Sequence, residues 1–162
     1  MKRLLVAATA LIGVVAVQDA WGQSQSANAT IAVTASVDPS CSVTASTLSF
    51  LTVTATTIVN ANATVNVNCT TGATYEVGLD YGLHAVSTQR NLMKTGGAIA
   101  LPYNLYQDAG YTMPWGNNLE VDTKEGTGTG SAVPWTVYGQ IPSQGSVTTG
   151  VYTDTVTVTV TY

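Results

Sequence analysis

Residues Asn28–Val37 read N-A-T-I-A-V-T-A-S-V. Small apolar side chains alternate here with mostly polar ones, and the apolar set is Ala29, Ile31, Val33, Ala35 and Val37. Successive side chains of a β-strand point to opposite faces, so the pattern predicts a strand with one apolar ridge and one polar face. Alternation marks any half-buried strand. The stretch therefore either pairs within its own domain or is donated to another molecule.

The residues before this stretch have the pattern of a secretory signal peptide. Lys2 and Arg3 precede an apolar run, Leu4–Val17, and the small residues at 20 and 22 favour cleavage after Gly22. The apolar run is short for a membrane span, which leaves an uncleaved anchor as the weaker alternative. We therefore expect residues 1–22 to be a signal peptide and the protein to be exported.

The charge of the exported chain excludes several classes of partner. Without the leader, Arg90, Lys94 and Lys124 stand against eight acidic residues, for a net charge of −5. Such a chain lacks the basic surface that binds nucleic acid or anionic lipid. Thr, Val, Ala, Gly and Asn dominate the composition, which is typical of β-structure, and about 140 residues correspond to one domain.

The two cysteines, Cys41 and Cys69, are predicted to form a disulfide, because an even number of cysteines in an exported chain favours bonding. A reactive or metal-binding cysteine is the alternative. It has little support, since the sequence has a single histidine, His84, and no C-x-x-C spacing.

Short strand patterns separated by turns occupy the rest of the chain. Proline at 39 lacks a backbone donor, so residues 38–40 are predicted to be a hinge. Ala63–Cys69 and Thr74–Tyr81 are predicted to form a hairpin, and residues 108–130 a long loop. Val151–Tyr162 is the strongest predicted strand, with Val156, Val158, Val160 and Tyr162 on its apolar face. No helical periodicity follows the leader, so we predict an all-β antiparallel sandwich or barrel.

Two C-terminal motifs give the chain a family resemblance. They are P-W-T-V-Y-G-Q-I-P at residues 134–142 and G-V-Y-T-D-T-V-T-V-T-V-T-Y at residues 150–162. Together with L-P-Y-N-L-Y-Q-D at 101–108, Trp115-Gly116 and the cysteine pair, they resemble the spore coat U family, which includes the pilins of archaic chaperone–usher pili.

This resemblance implies an immunoglobulin-like sandwich that lacks its final strand. It divides the chain into a signal peptide (1–22), a donor strand with its hinge (23–39) and an incomplete pilin domain (40–162). The apolar ridge would fill the groove of a neighbouring subunit, and the strand with Val156, Val158, Val160 and Tyr162 would border the acceptor groove. Since the sequence stops at Tyr162, we expect this last strand to have no following strand in the same chain with which to pair.

The resemblance also implies partners and a location. The subunit would form a homopolymer with the help of a periplasmic chaperone and an outer-membrane usher, with a tip adhesin as a further partner. The fibre would lie on the cell surface and serve attachment and biofilm formation. The alternative is a secreted spore-coat or matrix sandwich that forms no donor-strand fibre.

Other candidate sites are weaker. His84 has no nucleophile or acid near it in sequence, so we expect no enzyme and no cofactor. Glu120, Asp122 and Glu125 are acidic but match no calcium-loop spacing, so a solvated face is favoured over a metal site. The tryptophans and tyrosines are expected to be packing residues, although a carbohydrate-binding module with an exposed aromatic cluster remains a third alternative.

Overall fold

The computed structural model describes residues 25–162, so the predicted signal peptide lies outside the described residues. The chain divides into a unit that ends at Ser36 and a unit formed by Val37–Tyr162, and each is described separately. In the described part there is no helix, and hence none long and apolar enough to cross a membrane.

The second unit, which we call the body, is built from β-strands. They are β1 (Cys41–Ala45), β2 (Val59–Cys69), β3 (Thr74–Leu79), β4 (Arg90–Lys94), β5 (Ala100–Tyr106), β6 (Lys124–Thr127), β7 (Val133–Ile141), β8 (Tyr152–Thr153) and β9 (Val158–Thr161). One sheet has the order β1-β2-β7-β5-β4-β8 and the other β6-β3-β9, and all pairs are antiparallel. The prediction of an all-β antiparallel sandwich is confirmed.

The core lies between the two sheets, because alternate residues of the strands point inward. In β2 the inward set includes Val65 and Val67, and in β3 it includes Val77 and Leu79, all of which are almost fully buried. Burying apolar side chains of this size stabilises the fold by about 1.5–3 kcal/mol each.

The predicted hairpin between Ala63–Cys69 and Thr74–Tyr81 is wrong. A turn at Gly72, which has a φ of 83°, joins the two strands. However, β2 pairs with β1 and β7, whereas β3 pairs with β6 and β9. The apolar faces of the two strands both need burial, and the chain achieves this by crossing to the opposite sheet, so that the two faces meet across the core.

The predicted strand Val151–Tyr162 is divided. Its first part is β8, which pairs with β4 in the six-stranded sheet, and its last part is β9, which pairs with β3 in the other sheet. The chain changes sheets at residues 154–157. The predicted loop 108–130 also contains a strand, β6, at its end.

Two polar anchors lie inside the body. The indole of Trp115 is fully buried and donates its N–H to the carbonyl of Val77 at 2.8 Å. The guanidinium of Arg90 is also buried and donates to the carbonyl oxygens of Leu79, Asp80 and Trp115. Burial lowers the pKa of Arg90. These bonds satisfy backbone carbonyls where β3 ends, so they fix that end of the sheet.

Candidate functional site

An apolar cavity of about 290 Å³ lies between the two sheets of the body. Its walls come from both sheets and include Ala63, Val65, Leu79, Leu105 and Val137. Its lining also includes residues 45–48, at the end of β1 and just after it, and residues from 154–158, where the chain enters β9. Protein interiors rarely contain voids much larger than a water molecule. An apolar cavity of about 150 Å³ holds a benzene ring, so this one has room for roughly two aliphatic side chains.

β1 and β9, which contribute Ala45 and Val158 to the lining of the cavity, are both edge strands. β1 has β2 on one side, and β9 has β3 on one side, and no other strand of residues 25–162 pairs with either of them. β1 and β9 also approach each other, although they belong to different sheets. Edge strands present unpaired N–H and C=O groups, which are a template for pairing with a further strand. The cavity therefore combines an apolar interior with two rims able to form backbone hydrogen bonds.

The residues predicted to border the groove occupy different positions. Val156 and Val158 line the cavity, and Val160 is half-buried and packs against the core. Tyr162 is 58% exposed and does not line the cavity. The structure thus brings two of the four predicted residues to the cavity itself.

Asp154 fixes the point at which the chain changes sheets. Its carboxylate accepts a hydrogen bond from the hydroxyl of Tyr103 at 2.7 Å and contacts Nδ1 of His84 at 3.0 Å. The Asp154 side chain is almost fully buried, while that of His84 is 35% exposed. Burial and then the bond to Asp154 raise the pKa of Tyr103. A Cβ at residue 82 would lie 2.1 Å from the carboxylate, so this position requires glycine.

The contacts of His84 are therefore structural. Its ring and its backbone N–H both bind Asp154, and this links the loop after β3 to the rim of the cavity. Within residues 25–162, no serine, threonine or cysteine side chain forms a hydrogen bond with the His84 ring. A second link in the same region joins Asp80 to the backbone N–H of Thr157 at 2.9 Å.

The Asp80 link predicts a pH dependence. Burial raises the pKa of Asp80, but hydrogen bonds from Thr157 and from the N–H of Gly82, with the charge of Arg90, together hold it below its ordinary value of 3.8. A carboxyl group whose pKa is lower in the folded state stabilises the fold at pH values above its ordinary pKa. This stabilisation is lost as the pH falls through the folded-state pKa. We expect the midpoint temperature of thermal unfolding of the full chain to decrease once the pH is below about 4. The Asp80→Asn variant should be less stable at pH 7 and approach the wild type in acid; equal pH slopes would contradict this.

The disulfide between Cys41 and Cys69 is confirmed. The two residues are directly opposite each other in the register of β1 and β2. The bond therefore ties one end of β1, one of the two edge strands at the cavity, to the interior of the six-stranded sheet.

The predicted strand at residues 28–37 has no regular secondary structure. No residue from 25 to 40 lies in a strand, and each of them is exposed. Ile31 and Val33 are both 88% exposed. The whole apolar ridge, Ala29, Ile31, Val33, Ala35 and Val37, thus faces solvent. Exposed rows of apolar side chains are unusual in proteins and mark interaction sites.

The acidic residues considered as a calcium site do not come together. The carboxylate of Asp122 accepts hydrogen bonds from the backbone and side chain of Asn118 and from Tyr81. Glu120 and Glu125 are exposed. No group of three or more Asp, Glu, His or Cys side chains suited to a metal ion exists among residues 25–162.

Both the sequence and the fold of this chain are similar to those of known proteins. A family model described as Spore Coat Protein U domain matches residues 27–159. No curated protein matches the sequence.

Among solved structures, the chain matches one in a complex of archaic chaperone–usher Csu pili of Acinetobacter baumannii, described as a CsuC–CsuE chaperone–tip adhesion subunit pre-assembly complex. The TM-score is 0.62 and the identity 20%, over 78% of this chain and 40% of the other. At this identity the match establishes a shared fold. A second match, to a chaperone–tip adhesin complex of CFA/I fimbriae biogenesis, has a TM-score of 0.44 at 16% identity, over 64% of this chain and 35% of the other. The chain thus spans less than half the length of each of these two matched chains.

Proposed function

The chain belongs to the spore coat protein U domain family, and from this membership we propose that it is a structural pilin subunit that polymerises by donor-strand exchange. In this proposal the apolar ridge of one subunit enters the cavity of the next. The observation that carries it is the apolar cavity between the sheets, whose lining includes residues of the two edge strands β1 and β9. An extended segment added to a sheet edge gains affinity from backbone hydrogen bonds and specificity from alternate side chains.

The energetics favour such an exchange. Ile31 and Val33 are almost fully exposed in the free segment, and burial of each would contribute roughly 1.5–3 kcal/mol. The alanines of the ridge would contribute less and suit shallower parts of the groove. Backbone pairing would also cover two sheet edges at once and so remove an aggregation hazard.

Partners and location follow from this role. The exposed cavity of a newly exported subunit needs cover, which we assign to a periplasmic chaperone, with an outer-membrane usher directing assembly. The neighbours in the fibre are further copies of this chain, and we place it in the shaft or as an adaptor below a tip adhesin. The fibre would lie on the cell surface and serve attachment and biofilm formation.

A secreted coat or matrix protein with the same sandwich is the second candidate. The description of the family favours it, since a spore coat protein need not form a fibre. In that case the ridge would not enter a neighbouring cavity.

The deciding experiment compares the intact chain with one that lacks residues 28–37 but keeps the leader. Protein sheared from the surface of producing cells is run on an unheated denaturing gel. We expect a ladder of oligomers that boiling collapses for the intact chain, and monomer for the deletion. Recovery of the deleted chain in complex with its chaperone shows that the body still folds. Monomer from both chains would refute donor-strand exchange and favour the secreted sandwich.

A further inference from the structure

The outer face of the six-stranded sheet carries a surface that the proposed assembly does not use. Four of its strands, β1, β2, β5 and β7, contain no Asp, Glu, Lys, Arg or His. Their outward positions hold mainly Asn, Thr, Gln and Tyr, because the inward ones are taken by the core. The part of the face formed by these four strands is therefore polar without being charged.

Three tyrosines form a patch on this face. Tyr106 of β5 and Tyr138 of β7 are direct neighbours in the sheet register. The ring of Tyr111 lies edge-to-face with both, at centroid distances of 5.6 Å to Tyr106 and 6.4 Å to Tyr138. All three rings are partly exposed. We call Tyr106, Tyr111 and Tyr138 the tyrosine patch.

The loop before β6 holds Tyr111 in place. Tyr111 has a φ of 55°, a left-handed conformation that costs energy for a bulky residue. The carboxylate of Asp108 stabilises the loop by accepting bonds from the backbone N–H groups of Gly110, Thr112 and Met113. These bonds, that of Met113 foremost, lower the pKa of Asp108. The loop thus orders the third ring of the patch at the expense of local strain.

The hydroxyl groups of the patch are not used by the fold. The hydroxyls of Tyr75, Tyr81, Tyr103 and Tyr152 all form hydrogen bonds within the body. Those of Tyr106, Tyr111 and Tyr138 have no hydrogen-bond partner among residues 25–162, and none of them is a buried unsatisfied group. Three phenolic groups on one face therefore remain available to a ligand.

Amide side chains border the patch. In the sheet register Asn62 lies beside Tyr138, while Gln140 lies between Asn60 and Asn104. The amide of Gln140 donates to Asn60 at 3.2 Å, which leaves further donors and acceptors of this group free. Aromatic rings with amides at their border offer apolar faces for the C–H groups of a sugar and partners for its hydroxyls.

We propose that the tyrosine patch and its amide border bind neutral carbohydrate chains. These strands carry no charged side chain, and the carboxylate of Asp108 in the Tyr111 loop is already occupied by hydrogen bonds within that loop. An anionic or cationic polymer is therefore disfavoured, because it would lose hydration without gaining a free ion-pair partner. A protein partner is also disfavoured, because the outward positions of these strands carry no large exposed aliphatic side chain, and the exposed Met113 lies in the loop after Tyr111. The centre of a protein interface is usually more apolar than this. The proposal does not depend on polymerisation, since the patch lies within the body.

The test uses the full chain sheared from cells, whether it is monomer or polymer, in native gels that contain dextran, galactomannan or hydroxyethyl cellulose. We expect at least one of these neutral polysaccharides to retard the chain, alginate not to do so, and the retardation to persist at 0.5 M salt, roughly the range where surface ion pairs are screened. Tyr138→Ala should weaken binding about tenfold, and Tyr138→Phe about two- to tenfold, as expected for one lost hydrogen bond. Thr44→Ala, on the same face but outside the patch, is the matched control.

Three results would overturn the proposal. The first is that none of the three polysaccharides retards the chain. The second is that the wild type and Tyr138→Ala are retarded equally, and the third is that the chain associates with itself through the patch when no polysaccharide is present. The last result would assign the face to contacts between copies of the chain. An unchanged thermal midpoint for each variant shows that the loss is one of binding and not of folding.

Discussion

We expect Val33→Asp to abolish assembly, whereas Thr34→Asp should leave it intact. The two positions are adjacent, but their side chains point to opposite faces of an extended segment. In the proposed fibre, the carboxylate introduced by Val33→Asp would be buried in an apolar cavity without a partner, at a cost of several kcal/mol. Since 1.4 kcal/mol corresponds to a factor of ten, the assembled fraction should fall by more than about a hundredfold.

The measurement is the unheated gel ladder of surface material from cells that produce each variant. Thr34→Asp adds the same charge to the same segment, so it controls for effects on export and on net charge. Recovery of the Val33→Asp chain with its chaperone shows that the body still folds. Normal ladders from Val33→Asp, or loss of assembly in both variants, would show that the apolar ridge is wrongly assigned.

Replacement of both Cys41 and Cys69 by serine should lower the free energy of unfolding more than any other substitution described above. The bond closes a loop with a sequence separation of 28 residues. In the chain-entropy model a loop of this size is worth about 3–4 kcal/mol of unfolding free energy. With a typical urea dependence for a small domain, this shifts the unfolding midpoint by roughly 2 M. Assembly should also weaken, because the bond holds β1 at the rim of the cavity.

Urea denaturation of the full chain measures this effect, and Ser42→Ala, an outward position on the same strand, is the control. Reduction of the wild type should reproduce the double variant. A midpoint that moves by less than about 0.3 M, close to the effect of an ordinary surface substitution, would mean that β1 stays in place without the bond.

Strand character could be predicted from the sequence, but sheet membership could not. Alternation identified the strands around Val65 and Val77 because each buries one face. The same alternation continues through residues 152–160, so it does not show that the chain passes there from one sheet to the other. Asp154 was the available signal, since it is a carboxylate in the phase of the apolar residues Tyr152 and Val156. The hairpin prediction failed for a related reason, because a glycine turn fits a crossing between sheets as well as a tight pair.

The remaining features depend on contacts between residues that are distant in sequence. β6 was missed because it overlaps the low-complexity Gly-Thr run at residues 126–130, which is typical of loops. In the structure Lys124 lies over the rings of Trp115 and Trp135, and Gly126 makes room for Tyr75. The tyrosine patch could not be predicted from the sequence either, because its rings come from two strands and a loop. The cavity follows from strand order, which a single sequence does not contain.

The cavity and the apolar ridge belong to different residues of one chain, and this gives the proposed fibre a direction. Each contact joins two unlike surfaces, so it is a head-to-tail contact that leaves both surfaces available at opposite ends. One end of such a filament presents an empty cavity and the other an unused ridge. The two ends therefore need different caps, and a subunit that has a cavity but no ridge can terminate only one of them.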